Sequence, residues 1–146
     1  MKEKRTRMAK KRILVVDDDD AIRELFDGLL TEAGYEVVLA EDGLAAVASL
    51  KKQVPDLVIL DVMMPVISGP RLMELIRSSD NPEMWQVPIL FCSAAHVLDD
   101  ISKSKEFNVT LDDCISKPFE VKQLLRIIKD RLTEVPPPPD ESGDNA

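Results

Sequence analysis

Leu57-Val58-Ile59-Leu60-Asp61-Val62-Met63-Met64-Pro65 decides how this chain folds. Four consecutive apolar residues leave no water-facing position in a period-2 pleat, so they predict a strand buried on both faces. The run stops at a carboxylate. A strand buried in this way resists slipping by one residue, so it delivers Asp61 to a fixed place at the edge of a sheet. Pro65 then ends regular pairing. An aspartate at a strand end is ordinarily a turn former or a helix cap; the rest of the chain argues for more.

The same pattern repeats on either side. Arg12-Ile13-Leu14-Val15-Val16 is an apolar, β-branched run and a first buried strand. Four acids follow, Asp17 to Asp20, with Asp20 the expected N-cap of a helix. Ile22, Leu25, Phe26, Leu29, Leu30 and Ala33 give that helix one apolar stripe, and Gly34 stands where it should end. Tyr35–Ala40 reads as a second strand. Asp42-Gly43 makes a turn, and Leu44, Val47, Ala48 and Lys51 trace a second helix. After Pro65, Ser68 and Gly69 open a third helix, with Pro70 tolerated in its first turn and Leu72, Leu75 and Ile76 on its apolar face. Ser78 to Val87 is a polar loop. Pro88–Cys92 is a fourth strand ending at Ser93, and Ala95–Phe107 predicts a helix carrying Val97, Leu98 and Ile101. Cys114-Ile115 is a short fifth strand followed by Lys117-Pro118-Phe119. Val121, Leu124, Leu125, Ile128 and Leu132 mark the last helix, which Pro136 to Pro139 end. Strict β–α alternation with continuous apolar strands predicts a doubly wound, five-stranded parallel sheet with helices on both faces. In such sheets the ligand site lies outside the carboxyl ends of the strands.

The 146 residues suffice for one domain with a proper core. The expected division is a basic disordered leader at 1–10, the domain at 11–133 and a Pro-rich, acidic, disordered tail at 134–146. No apolar run is long enough to span a bilayer, and no apolar stretch follows the basic leader as in a signal peptide, so a cytoplasmic protein with no membrane partner is expected. The net charge of −8 is uneven: residues 1–12 carry seven Lys/Arg and one Glu, residues 135–146 carry three acids and no base, which leaves 13–134 at −11. So acidic a body is not expected to bind nucleic acid; it suits a bound cation and partners with basic surfaces. Cys92 and Cys114 fall in apolar runs without a CxxC, which reads as two buried free thiols. His96, at the start of a helix, is expected to be exposed and without a catalytic role.

Strand one brings Asp17 and Asp18 to the carboxyl edge, strand three Asp61, strand four Ser93 and strand five Lys117. Two like charges 4 Å apart repel by about 4 kcal/mol at an effective dielectric near 20. Either one carboxylate is protonated or a cation sits among them. Oxygen ligands alone favour a hard ion, above all Mg²⁺. An aspartate beside Mg²⁺ and a lysine can act as a nucleophile toward phosphorus and become an aspartyl-phosphate. Mg²⁺, Lys117 and Ser93 would then hold the phosphoryl oxygens from different directions and leave Asp61 in line.

These residues resemble the receiver domain of two-component response regulators. The resemblance rests on Val15-Val16-Asp17-Asp18, Asp56 through Pro65, Gly69, Ser93-Ala94 and Lys117-Pro118-Phe119, and covers about residues 11–133. It implies a flavodoxin-like strand order 2-1-3-4-5. It also implies that Asp61 accepts a phosphoryl group from a sensor histidine kinase or a histidine phosphotransfer protein. Asp18 would bind Mg²⁺ directly and Asp17 partly through water. Asp61 and the Met63 backbone carbonyl would complete the metal site, Ser93 would serve as the switch hydroxyl, and Lys117 would pair with phosphate. The Lys117–Pro118 bond is expected to be cis. The implied output is binding to a downstream protein, as a monomer or a phosphorylation-dependent dimer.

The chain departs from the family pattern in two places. Cys114 stands where an aromatic residue usually rotates with the switch, and Phe107-Asn108-Val109-Thr110-Leu111 replaces a short Gly-Ala link. Both bear on the face through which partners usually read the phosphorylated state. Val66, where the family often has Gly, reads as tolerable. Met63 and Ala95, two residues after Asp61 and Ser93, cannot orient a water, which predicts a long-lived phosphoryl state. The competing readings are a receiver that signals by binding alone, a small Mg²⁺-dependent phosphohydrolase and a flavodoxin-like cofactor binder. Met63, where such hydrolases place a second Asp, counts against the hydrolase. The acids after strand one count against a phosphate-cradling loop. No output domain is expected after the Pro-rich tail.

Overall fold

Strands of four to six residues form around the apolar runs. The computed structural model describes residues 10–110 and 113–133. Most of the predicted leader, Leu111 and Asp112, and the predicted tail from 134 lie outside the described residues. The strands are β1 (Arg12–Val16), β2 (Glu36–Ala40), β3 (Leu57–Leu60), β4 (Ile89–Ala94) and β5 (Cys114–Lys117). The helices are α1 (Asp20–Glu32), α2 (Gly43–Lys52), α3 (Gly69–Arg77), a single turn α4 (Pro82–Trp85), α5 (Ala95–Lys103) and α6 (Val121–Thr133). The sheet is parallel throughout in the order β2-β1-β3-β4-β5. The expected fold class and strand order both hold.

Alternate strand residues face opposite helix layers, as the pleat requires. Leu14, Val16, Val58 and Leu60 pack with Ala46 and Leu50 of α2, Leu72 and Ile76 of α3, and Leu98 and Ile101 of α5. Ile13, Val15, Leu57 and Ile59 pack with Phe26 and Leu30 of α1 and Leu124 and Ile128 of α6. Every residue of β3 is buried. Burying side chains of this size stabilises the fold by about 1.5–3 kcal/mol each.

Several local expectations need correction. Asp19, not Asp20, caps α1: it has extended backbone and accepts from the amides of Ala21 and Ile22. The buried face of α2 is Gly43, Ala46 and Leu50, while Leu44 is 61% exposed. Small residues let α2 lie close; a Cβ on Gly43 would stand 2.7 Å from the Cβ of Ile67. Leu25 and Leu75, assigned to apolar stripes, are about half exposed. The polar loop after α3 contains α4, begun by an Asn81 cap and Pro82 and tied down by Arg77, which donates to the carbonyls of Trp85 and Val87. Helix α5 stops at Lys103, four residues short of the expectation. Gly34 does close α1: its φ of 100° lets the amides of Gly34 and Tyr35 reach back to the carbonyls of Thr31 and Leu30. Val66 is not the easy fit expected. Its φ is 69°, and the Ile67 amide donates to the Pro65 carbonyl at 2.7 Å. This is the rare positive-φ form of the γ-turn, strained for a β-branched residue.

Candidate functional site

The register of the sheet assembles the site. Val16, Leu60 and Phe91 lie side by side across β1, β3 and β4, so the next residues of β1 and β3, Asp17 and Asp61, emerge together. The Asp61 amide donates to the Val16 carbonyl, and the Asp17 amide to the Ala40 carbonyl. Both carboxylates are buried, with side chains 3% and 8% exposed. Ser93 is buried near the end of β4 and donates its hydroxyl to Asp61 Oδ1 at 2.9 Å. Lys117, the last residue of β5, pairs with Asp17 Oδ2 at 2.8 Å and lies 3.9 Å from Asp61 Oδ2. The Lys117–Pro118 bond is cis, as expected. Behind it Phe119 stacks on Phe26 of α1 with ring centroids 5.3 Å apart, which anchors the turn after Lys117 to the layer formed by α1 and α6.

Oxygens of Asp17, Asp18 and Asp61 all lie within 4.8 Å of one another. Opposite ligands of an octahedral Mg²⁺ are about 4.2 Å apart, so the cluster has the size for one hard cation. The donor set is all oxygen, as Mg²⁺ requires. The four acids differ in how far their carboxylates are engaged. Asp17 accepts from the Asp19 amide and from Lys117, Asp19 caps α1, and Asp20 pairs with Arg23. Asp18 is exposed and has no donor among the described residues, so its oxygens are open to an ion.

Burial, then the charge of Asp17, pushes the Asp61 carboxyl above the ordinary carboxylate range, against the opposing pull of Lys117, the Ser93 hydroxyl and the Met63 amide. Burial works against the Lys117 ammonium too. The Asp17 hydrogen bond and the charges of Asp61 and Asp17 outweigh it and hold the lysine above its usual value. Cys92, just before Ser93, is buried, and its thiol is pushed up to about 12, so it is no nucleophile. Cys114 is only half buried, a correction to the expected burial, and its thiol points to the Thr110 carbonyl. His96 is exposed.

The loop from Asp61 to α3 is held by Gly69, whose amide donates to the Val62 carbonyl at 2.9 Å. A Cβ at Gly69 would stand 2.1 Å from the Asp61 carbonyl oxygen. Sequence reading had no role for Arg23. Its side chain is 14% exposed, and its guanidinium donates to the Asp17 main-chain carbonyl at 2.7 Å and pairs with Asp20. The spacing of three from Asp20 was the signal available.

An open, fully parallel α/β sheet with an acidic cation cluster, a hydroxyl and a lysine converging at its switch point defines the class. The chain belongs to the response regulator receiver domain family, whose model matches residues 13–129. It is 43% identical over 113 residues to the uncharacterized transcriptional regulatory protein YrkP of Bacillus subtilis (strain 168), covering 77% of this chain and 46% of that protein. The chemotaxis response regulator CheY4 of Vibrio cholerae superposes with a TM-score of 0.73 at 30% identity, over 85% of this chain and 100% of that one. The receiver domain of the sensor histidine kinase PA1611 of Pseudomonas aeruginosa PAO1 superposes with a TM-score of 0.75 at 28% identity, over 86% of this chain and 100% of that one; it holds a magnesium ion in its active-site cleft. The chain spans about half the length of the curated relatives it matches. It is a receiver domain of the two-component kind. No helix among the described residues is long and apolar enough to cross a membrane.

Proposed function

We propose that this receiver is a competent phospho-acceptor in a histidine-to-aspartate relay. Asp61 receives the phosphoryl group from the phosphohistidine of a sensor histidine kinase or a histidine phosphotransfer protein. A carboxylate oxygen of Asp61 attacks phosphorus, the phosphorus–nitrogen bond breaks, and the electron pair returns to the imidazole. Bound Mg²⁺ would neutralise charge on the transferring group. The residues that would hold it are Asp18 directly, Asp17 partly through water, Asp61 and the Met63 carbonyl. Lys117, 3.9 Å from the acceptor, pairs with a second phosphoryl oxygen, and the Ser93 hydroxyl, now on Asp61, turns to a third. The observation that carries the reading is one buried carboxylate sharing a cation-sized cluster with two others while a lysine and a hydroxyl point at it.

The output is altered binding to a downstream protein, and the −11 charge of residues 13–134 favours a partner with a basic surface. Phosphorylation-dependent dimerisation is one form it can take. Direct nucleic-acid contact by this acidic body is disfavoured. The exposed Met63 and Ala95 side chains offer no group to orient a hydrolytic water, so the phosphoryl state lasts minutes or longer.

Intact mass after incubation with Mg²⁺ and acetyl phosphate tests the chemistry. One added phosphoryl group is expected on the parent, none on Asp61→Asn and none with EDTA. A folded parent that takes up no phosphate from acetyl phosphate or from a kinase would leave a receiver that acts by binding alone.

A further inference from the structure

We propose that Arg23 is a positioning residue for the cation site, through its bond to the Asp17 main-chain carbonyl. The inference rests on reading Asp17, Asp18 and Asp61 as that site. The Asp17 carbonyl lies just beyond the end of β1, and Arg23 donates to it at 2.7 Å. The Asp17 carbonyl and the Asp18 amide share one planar peptide unit, so fixing the oxygen fixes the plane from which Asp18 departs. Asp18 is, among the described residues, the one acid of the four whose carboxylate no donor orients. Its direction depends on its backbone, which two side chains hold: the Asp17 carboxylate accepts from the Asp19 amide on one side, and Arg23 holds the Asp17 carbonyl on the other.

Three details favour positioning over mere charge balance. The Arg23 side chain is largely buried, at 14% exposure, so its geometry is set by packing. It spans two acceptors, the Asp17 carbonyl and the Asp20 carboxylate, and a planar fork holds both directions fixed where an ammonium on a flexible stem leaves them free to change. Its own amide donates to the Asp19 carbonyl at 3.0 Å, so the side chain folds back over the loop that its backbone closes.

Charge and position predict opposite signs. On charge alone, removing a cation near the site would tighten Mg²⁺ binding several-fold. Loss of an outer group that orients a ligand weakens metal affinity about 10- to 100-fold. The experiment is calorimetric titration of Mg²⁺ into the parent, Arg23→Ala, Arg23→Lys and Asp20→Asn, with fold checked by circular dichroism and urea unfolding. Arg23→Ala is expected to bind Mg²⁺ about 10-fold more weakly. Arg23→Lys should recover only part of the loss, because it restores charge without the fork. Asp20→Asn, which leaves the carbonyl bond in place, should stay within about 2-fold of the parent. Arg23→Ala binding as tightly as the parent, or more tightly, overturns the proposal. Should Arg23→Ala fail to fold, parent-like affinity in Arg23→Lys overturns it and weakened affinity supports it. A parent that takes up no Mg²⁺ removes the reading of the site and this inference with it; a parent that binds Mg²⁺ while the Arg23 variants are unaffected removes the inference alone.

Discussion

Replacing Gly69 with alanine adds one methyl group, and the structure says where it must go. The new Cβ would stand 2.1 Å from the Asp61 carbonyl oxygen, 3.0 Å from the Asp61 carbonyl carbon and 3.0 Å from the Val62 Cα. All three are backbone atoms, so no side chain can turn aside. An ordinary carbon–oxygen contact is about 3.4 Å, so roughly 1 Å of displacement must be shared between the start of α3 and the segment carrying Asp61. Overpacking of this kind costs about 3 kcal/mol. Alanine's better helix propensity and its smaller unfolded-state entropy return about 1 kcal/mol. The net loss is about 2 kcal/mol, a fall in Tm of roughly 6–10 °C for a domain of this size. The same push moves the acceptor, and a misplacement near 1 Å can cost about 100-fold in rate. Urea unfolding gives the first number. Phosphoryl uptake from acetyl phosphate, followed by intact mass well below Tm at saturating Mg²⁺, gives the second. Gly28→Ala is the matched control. A Cβ at Gly28, within α1, meets nothing within 4 Å, so that substitution should stabilise by about 0.5–1 kcal/mol. Parent-like stability and rate in Gly69→Ala, beside a stabilised Gly28→Ala, would refute the reasoning.

Three further perturbations have a stated sign. Val66→Gly should stabilise by up to about 1 kcal/mol, because the left-handed conformation costs a β-branched residue more than glycine's added unfolded freedom costs and the lost side chain is 89% exposed; an unchanged or lowered urea midpoint would contradict the γ-turn argument. Asp61→Asn should raise stability at pH 7. The folded carboxyl binds its proton more tightly than the unfolded one, so the stability it contributes falls as pH rises from the ordinary carboxylate range through the folded pKa. The midpoint difference between variant and parent should therefore grow from pH 4 to 7 and shrink when Mg²⁺ is added, and a flat difference would sink the idea. Lys117→Met removes the cation from two buried carboxylates and should cost about 3 kcal/mol at pH 7, less at acid pH as Asp61 takes up a proton; a loss independent of pH would mean that Lys117 acts by packing alone.

The fold was legible because three of its strands are unmixed. In β1, β3 and β4 four apolar residues run up to an Asp or a Ser, and that polar residue is also the one placed in the site; β5 is mixed and was legible from Lys117-Pro118-Phe119. What could not be read was set by backbone direction or by contact between distant segments. Asp19 and Asp20 are equally good caps by type, and only the extended backbone of Asp19 decides between them. The stripe of large residues on α2 pointed the wrong way because the close approach to Ile67 selects Gly43 and Ala46 for the buried face. Val66 looked harmless because nothing in its side chain announces a φ of 69°. Arg23 was passed over as one charge among many on an amphipathic helix, since its partner is a main-chain oxygen and carries no residue identity.

The site divides its two cations by what each must do. Arg23 holds a carbonyl oxygen whose position must not change, and it does so with a rigid planar fork. Lys117 stands 2.8 Å from one carboxylate and 3.9 Å from the other, on a flexible stem with three rotatable donors. A phosphoryl group on Asp61 would bring new negative oxygens within that 1 Å difference, enough to draw the ammonium from Asp17 toward the acceptor. An arginine there would bind Asp17 in two-point fashion and resist the move. A lysine at Arg23's position would let the Asp18 loop shift whenever the cation was exchanged. The pairing of a fixed guanidinium with a movable ammonium follows from the chemistry of each group. It lets one cluster keep its cation geometry constant while the phosphoryl contacts change.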